Sequence, residues 1–470
     1  LVGDSMVHEL VLSHGSLLLV HLALTAVCGY IVLSSLPRVR SHLVPLMLFG
    51  GLGLLHGAVP AATQSHLLPE TYHAASRIVA AHLALVSVLL LWFGWRAYEK
   101  FAPGAPATVI RRGPWEPPAS KHLMRRVQLV CAILGPAAFL LQVHFHGWSI
   151  SDSLNADRFA LRGSGNVTLA ALANHGVGLV ILPGFLGFFV DRRAKIFGIF
   201  FALTLAVAIF VLTKGERATS LGILGSLVSG YVMSRQITAG RLLVVVVGLS
   251  ILLAASISLY RLRHVMSNAS LAESLCLLVS WEIYEEAVTQ DPLNYHEMFV
   301  QAVDNFPRRH DFLGGASYRR LLFFFLPSSK FPGIKPADTN ALFADVVRPE
   351  HNLQQLTVPP TIPGDMYINF GPLGIGLLFF TGLLLAWVSR QILTREIWFL
   401  ALGPNLVRLT IVGLRGQPYE VTLTAIGLLV FVACLRCCLV PRRKPAIRPV
   451  VVLPPPPIRF GTRRRTGMEG

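Results

Sequence analysis

The sequence predicts an all-α, polytopic integral membrane protein of about eleven transmembrane helices with one large external loop, taking roughly 20 apolar residues as the length that crosses a hydrocarbon core. Three observations predict this. Hydrophobic residues make up 53% of the 470 positions and charged residues only 14%, with a mean hydropathy of +0.59, so the solvent of this chain is mostly lipid. The apolar residues gather into runs long enough to span a bilayer. The basic residues fall on one alternate set of the connections between those runs.

The runs lie at 10–36, 43–62, 77–98, 125–146, 167–190, 194–213, 218–234, 241–260, 366–389, 397–414 and 419–440. They divide the chain into an N-terminal transmembrane bundle at 1–260, an external loop with amphipathic helices at 261–365, C-terminal spans at 366–440 and a basic, Pro-rich cytoplasmic tail at 441–470. The first run is long and lacks both a basic leader and a small-residue cleavage site, so it reads as a span rather than a cleavable signal.

Orientation follows from the short loops, because cytoplasmic connections carry the excess of Lys and Arg. With the N-terminus outside, the cytoplasmic connections carry Arg38 and Arg40; Arg96, Lys100, Arg111, Arg112, Lys121, Arg125 and Arg126; Arg192, Arg193 and Lys195; Arg235 and Arg241; and Arg390 and Arg395. The tail adds Arg442, Arg443, Lys444, Arg448, Arg459 and Arg463 to Arg465. Every short loop agrees on an N-out, C-in chain with an odd number of spans. The same residues account for most of the net charge of +17, so no nucleic-acid partner is called for. The tail, with its run Pro454 to Pro457, is expected to be disordered and drawn to anionic lipid headgroups. Cys28, Cys131, Cys276, Cys434, Cys437 and Cys438 are scattered or sit in spans, which suggests apolar packing rather than a disulfide framework or a metal site.

The external loop concentrates the polar chemistry. Residues 271–289 pattern as an amphipathic helix, with Leu271, Leu275, Leu278 and Trp281 against Glu273, Glu282, Glu285 and Glu286, and 293–306 reads as a second. Such helices lie on the bilayer surface or cap the bundle. A basic, glycine-containing segment from Pro307 to Arg320 follows, then the apolar run Leu321 to Leu326, and then a proline-rich stretch through Lys330, Lys335 and Pro336. Prolines at that density favour a fixed irregular loop over a helix or central strand. The loop closes on Gly364-Asp365-Met366-Tyr367-Ile368-Asn369-Phe370-Gly371, read as polar chain turning straight into a span.

This order of motifs resembles the bacterial oligosaccharide repeat-unit polymerases, the Wzy-type O-antigen polymerase family. The resemblance rests on Leu313 to Tyr318 (Leu-Gly-Gly-x-Ser-Tyr), the apolar stretch ending at Pro327, the Lys335-Pro336 pair and the element Gly364 to Gly371, together with an external Lys214-Gly215-Glu216-Arg217. It covers 210–375 in detail and the rest through topology alone. Two positions depart from the pattern: Asp365 stands where glutamate is more usual, and Ser328 where an arginine often follows the proline. The second departure shifts the expected anion contact to Arg319, Arg320 or Lys330.

The resemblance implies a GT-C-like membrane glycosyltransferase of the cell envelope, acting without metal or cofactor on the outer face of the bacterial cytoplasmic membrane. It implies that the growing glycan leaves an undecaprenyl (polyprenyl) pyrophosphate carrier for the non-reducing sugar of the next lipid-linked repeat. Its partners would be that lipid-linked oligosaccharide, membrane lipid, and chain-length regulator and flippase proteins. The residues suit such chemistry: arginine grips phosphate oxygens bidentately without losing its proton, and an acceptor hydroxyl needs a base.

The candidate catalytic residues are Asp365, Arg217 and His264, with His310 a rival base. The candidate substrate-binding residues are Arg261, Arg263, Arg319, Arg320, Lys335, Tyr367, Asn369 and Arg408. Each has a plainer reading. Arg217 marks the end of a short external connection, Arg261, Arg263, Arg319 and Arg320 suit headgroup anchoring, and Lys335 is an ordinary loop lysine. Asp365 suits a helix N-terminus, where a carboxylate complements the dipole. Tyr367 and Asn369 lie two apart and so do not share a helix face. Arg408 is a charge within a span and must face the bundle, a cavity or the headgroups, while His56, His82 and His175 read as satisfied buried groups. A transporter or flippase of lipid-linked sugars, which would show related halves and midplane polar groups, and an O-antigen ligase remain the alternatives.

Overall fold

The computed structural model describes residues 2–39, 41–63, 74–102, 121–145, 181–190, 195–213, 217–234, 295–323, 339–347, 360–394 and 418–439. Single positions and runs of two or three residues between 179 and 416 complete the set. Among the described residues there is no β-strand, and the helical class expected from composition is observed.

Helix α1 (Val2–Ser35) and a second apolar helix form an antiparallel hairpin. The second arm begins as α2 (Leu43–Gly53), widens into a π turn (Leu54–Ala58) and resumes as α3 (Val59–Thr63). Pro60 explains the widening, since it has no N–H to offer the carbonyl of His56 and its ring crowds that carbonyl. The long α4 (Ala74–Phe101) packs along its length against α13 (Pro372–Thr394). These two helices run parallel: Phe379 lies against Gly94, and Arg390 donates to the carbonyl of Ala102.

A second group comprises α5 (Lys121–Phe145), α6 (Ile181–Val190), α7 (Lys195–Thr213) and α8 (Arg217–Ser234). Gln128 Nε2 ties α5 to α6 by donating to the carbonyl of Pro183 at 3.1 Å. The remaining helices are α9 (Tyr295–Asn305), α10 (Ala316–Arg319), α11 (Thr339–Val347), α12 (Thr361–Phe370) and α14 (Pro418–Leu439).

Among the described residues, four helical stretches are long and apolar enough to cross a membrane: Gly15–Arg38, Leu43–Ala62, Ala75–Phe101 and Pro372–Leu393. Ile181–Val190, Gly198–Val207 and Gly222–Ser234 are shorter apolar segments. The runs expected at 241–260 and 397–414 lie mostly outside the described residues, as do the amphipathic segment at 271–289, His175 and the tail.

The two ends of the bundle differ. The α1–α2 turn meets the end of α4 through His42 Nε2 and Glu99 Oε1 at 2.7 Å, which gathers Arg38, Arg96, Lys100 and Arg390 at one end. The opposite end carries α9 and α12. Ser76, in the first turn of α4, donates to Asp304 Oδ1 of α9 at 2.7 Å.

Of the two placements expected for 293–306, on the bilayer surface or capping the bundle, α9 fits the second: it is buried from Met298 through Asn305 because α12 covers one side and α4 with the π turn the other. Three expectations change. The last motif is itself a buried helix, α12, separated from the span by Gly371, so the span starts at Pro372 rather than near 366. His82 is exposed rather than buried, with Nδ1 bonded to the carbonyl of Ile78 at 2.7 Å, and Cys434, Cys437 and Cys438 are exposed on α14.

The α4–α13 contact depends on two glycines. A Cβ on Gly94 would stand 1.9 Å from the Phe379 carbonyl oxygen, and one on Gly382 would stand 2.1 Å from that of Leu91. Small residues let membrane helices approach this closely. Gly94→Leu is expected to destabilise the protein by about 1–3 kcal/mol through overpacking, read as a lower Tm in mild detergent. Gly376→Ala, where a Cβ meets nothing within 4 Å, is expected to leave Tm unchanged.

Candidate functional site at the end of helix α12

Helix α12 ends because Gly371 adopts φ +63°, a positive value that glycine takes without a Cβ penalty. Its N–H closes on the carbonyl of Tyr367 at 2.7 Å. The last carbonyls of a helix have no partner within it, and here the Leu313 to Tyr318 motif supplies two. The N–H of Leu313 donates to the carbonyl of Ile368 at 3.0 Å, and that of Gly315 to Asn369 at 3.3 Å. Gly315 has φ +77°, and a Cβ there would stand 2.8 Å from the Phe370 ring. The glycines of both motifs thus serve one junction, where the start of α10 lies on the end of α12.

Side chains complete the junction. Tyr318 donates its hydroxyl to Asp365 Oδ2 at 2.6 Å, and its ring stacks on Phe370. Ser317 donates to Asn369 Oδ1 at 2.8 Å, while Asn369 Nδ2 donates to the Asp365 carbonyl at 2.8 Å and reaches Asp365 Oδ1 at 3.5 Å. Asp365 is only 3% exposed and Asn369 fully buried, so each polar atom here needs the partner it has. Burial first, then the charge of Asp365 and the hydrogen bond to it, hold the Tyr318 hydroxyl well above its ordinary pKa. Tyr318 therefore remains a donor.

On the adjoining face, Tyr367 donates to the carbonyl of Phe306 at 3.2 Å and packs edge-on against Phe299 and Phe312. Burial raises the Tyr367 pKa, and Arg308 opposes that shift. The two faces foreseen for Tyr367 and Asn369 are observed, one toward α9 and one toward α10.

The start of α12 belongs to Thr361 rather than Asp365. Thr361 Oγ1 accepts from the Gly364 N–H at 3.3 Å, whereas Asp365 stands a full turn further in and faces Tyr318. Thr361 is buried at φ +72°, a conformation that costs a β-branched residue about 1–3 kcal/mol. Its surroundings hold it there.

Cations rim the junction. Arg308 is 57% exposed and meets Asp304 Oδ1 at 3.4 Å, the same oxygen that accepts from Ser76. Arg309 reaches Asn305 Oδ1 at 3.5 Å. His310 and Arg319 are exposed and Arg320 is half-buried. Arg217 is the first residue of α8. Arg261, Arg263, His264, Lys335 and Arg408 lie outside the described residues. Among the described residues, no group of three His, Cys, Asp or Glu side chains has metal-holding geometry.

No protein-family model, curated protein or solved structure matches the chain.

Ser317, Tyr318, Asp304, Arg308 and Ser76 were not among the residues singled out from the sequence. Ser317 and Tyr318 stood within the quoted motif, and Asp304 with Arg308 shows the i,i+4 spacing of an ion pair. Nothing local marks Ser76, which joins across 228 residues.

A double-mutant cycle on Tyr318→Phe and Asp365→Asn tests the junction. Hydrogen bonds to a charged group contribute about 1.5–3 kcal/mol, and a coupling energy of that size is expected in denaturant unfolding. Strictly additive effects would mean that the two side chains act separately.

Proposed function

We propose that the chain is a polymerase of lipid-linked oligosaccharide repeat units, a membrane glycosyltransferase that moves a growing glycan from polyprenyl pyrophosphate to the non-reducing sugar of another lipid-linked repeat. One observation carries the reading. Two of the segments on which the family resemblance rests, Leu313 to Tyr318 and Gly364 to Gly371, separate in sequence, dock on each other at the end of the bundle opposite Arg38, Arg96, Lys100 and Arg390. By the positive-inside rule that end faces away from the cytoplasm.

In this reading, Arg319 and Arg320 attract the pyrophosphate, and Arg217, Arg261, Arg263, Lys335 and Arg408 complete the anion site. Fixed guanidinium groups stabilise the charge that develops on the departing pyrophosphate. Asp365 is assigned to the acceptor, with Tyr318 and Asn369 fixing its rotamer and Tyr367 supporting the helix from behind. His264 is the alternative base. The reaction breaks the anomeric carbon–pyrophosphate bond and forms a glycosidic bond, and the acceptor hydroxyl loses one proton to the base.

The decisive assay gives the purified protein in liposomes a defined polyprenyl-pyrophosphate repeat unit, without nucleotide sugar or metal. A ladder of multiples with released polyprenyl pyrophosphate is expected. An unchanged single band, with lipid binding demonstrated, would favour transport or ligation. Arg217→Ala and Asp365→Ala are each expected to lower polymer yield by about 100-fold or more, the scale of losing one group that acts on the transition state; full activity in both would remove them from the mechanism.

A further inference from the structure

Three histidines meet where α1, the π turn and α9 converge. His21 and His56 come from the two apolar arms of the hairpin and His296 from α9, and their exposures are 0%, 1% and 7%. The geometry begins with Pro60, which leaves the His56 carbonyl without its helical donor. His21 Nδ1 takes that place at 2.7 Å. A carbonyl only accepts, so His21 carries its proton on Nδ1, and its Nε2 presents a lone pair when the ring is neutral.

His56 Nδ1 and His296 Nδ1 stand 3.2 Å apart, which requires one proton between two nitrogens. The rings of His21 and His296 pack edge to face at 4.6 Å. The Nε2 atoms of His21 and His56 are buried, with no hydrogen-bond partner among the described residues. Three neutral rings satisfy this arrangement with three protons. A fourth proton places a full charge among them, and the charged groups that act on His296 are the other two histidines.

The groups packed around α9 bear this out. From α4, Arg77 acts on Glu297 rather than on the histidines. From α12, Asp365 is held by Tyr318 and Asn369, and Asp345 of α11 is exposed. The electrostatic influences on His296 come from His21 and His56, both unfavourable to its protonation.

We propose that His21, His56 and His296 form a buried proton-binding site that latches α9 to the α1–α2 hairpin while neutral and releases it on taking up a proton. The inference stands apart from the glycosyl transfer proposed above. Release would reach the motif junction, because His56 packs on Phe299, Phe299 on Tyr367, and Tyr367 bonds the carbonyl of Phe306. The sign follows from linkage. Burial pushes the His296 pKa well below its ordinary value. A released histidine therefore binds a proton more readily than a docked one. Docking is at full strength above the free-histidine value of about 6.5 and weakens as pH falls below it.

The test is hydrogen exchange of the full-length protein in nanodiscs, following α9 at about pH 7.5 and about pH 5, corrected for intrinsic exchange and referred to α13. In the wild type, protection of α9 is expected to fall about ten-fold or more at the lower pH, the effect of one pKa unit of linkage. His21→Gln, His56→Gln and His296→Gln combined should make protection independent of pH. If the triple variant does not fold, His296→Gln alone serves, with a smaller pH effect than wild type expected. No pH effect in the wild type, or an equal effect in the variant, would overturn the proposal.

Discussion

Everything at the candidate site depends on how helix α12 ends. Gly371 turns the chain at a positive φ and separates a short polar helix from the long apolar span that follows. Had the helix run on, Ile368 and Asn369 would have kept their carbonyls for the next turn, and Leu313 and Gly315 would have had nothing to donate to. The break therefore creates the docking surface, and side chains then make it specific. Tyr318 finds Asp365 and Ser317 finds Asn369 because the backbone bonds have already fixed the register.

The same logic operates at the hairpin. Pro60 removes one donor, the helix widens, and His21 fills the vacancy across the interface. In both places a missing helical hydrogen bond becomes a tertiary contact. This suits a chain whose helices are apolar enough to cross a membrane, because in an apolar medium packing of apolar surface discriminates little between partners and unsatisfied polar groups are costly. Close approach at Gly94 and Gly382 supplies the packing, and the broken turns supply the direction.

The helical class and the four long apolar helices were legible in the sequence, the last with its start misplaced, because long apolar runs leave a chain few alternatives to helix. The pairing of the two motifs was not, although both were visible as segments. Asp365 looked like a helix-start carboxylate because only its neighbours along the chain could be judged; Thr361 takes that role, and Asp365 faces a tyrosine 47 residues away. The segment at 293–306 looked amphipathic because Glu297, Gln301, Asp304 and Asn305 are polar. In the fold, Asp304 and Asn305 are buried with polar partners, so polarity did not signal exposure. His56 was read as a satisfied core group; among the described residues its Nδ1 has His296 as partner and its Nε2 has none.

By itself, the sequence determined that this chain is built of helices, which of its segments are apolar enough for lipid, and which short segments carry the polar chemistry. These are properties of composition and local spacing, and they persist whatever the helices touch. The tertiary structure alone decided which broken turn meets which donor, that α9 is enclosed, and that three histidines from distant segments share one interior. The reason is physical: a hydrogen bond between helices depends on crossing geometry and on the groups each helix leaves unpaired, and neither is written in any single stretch of chain.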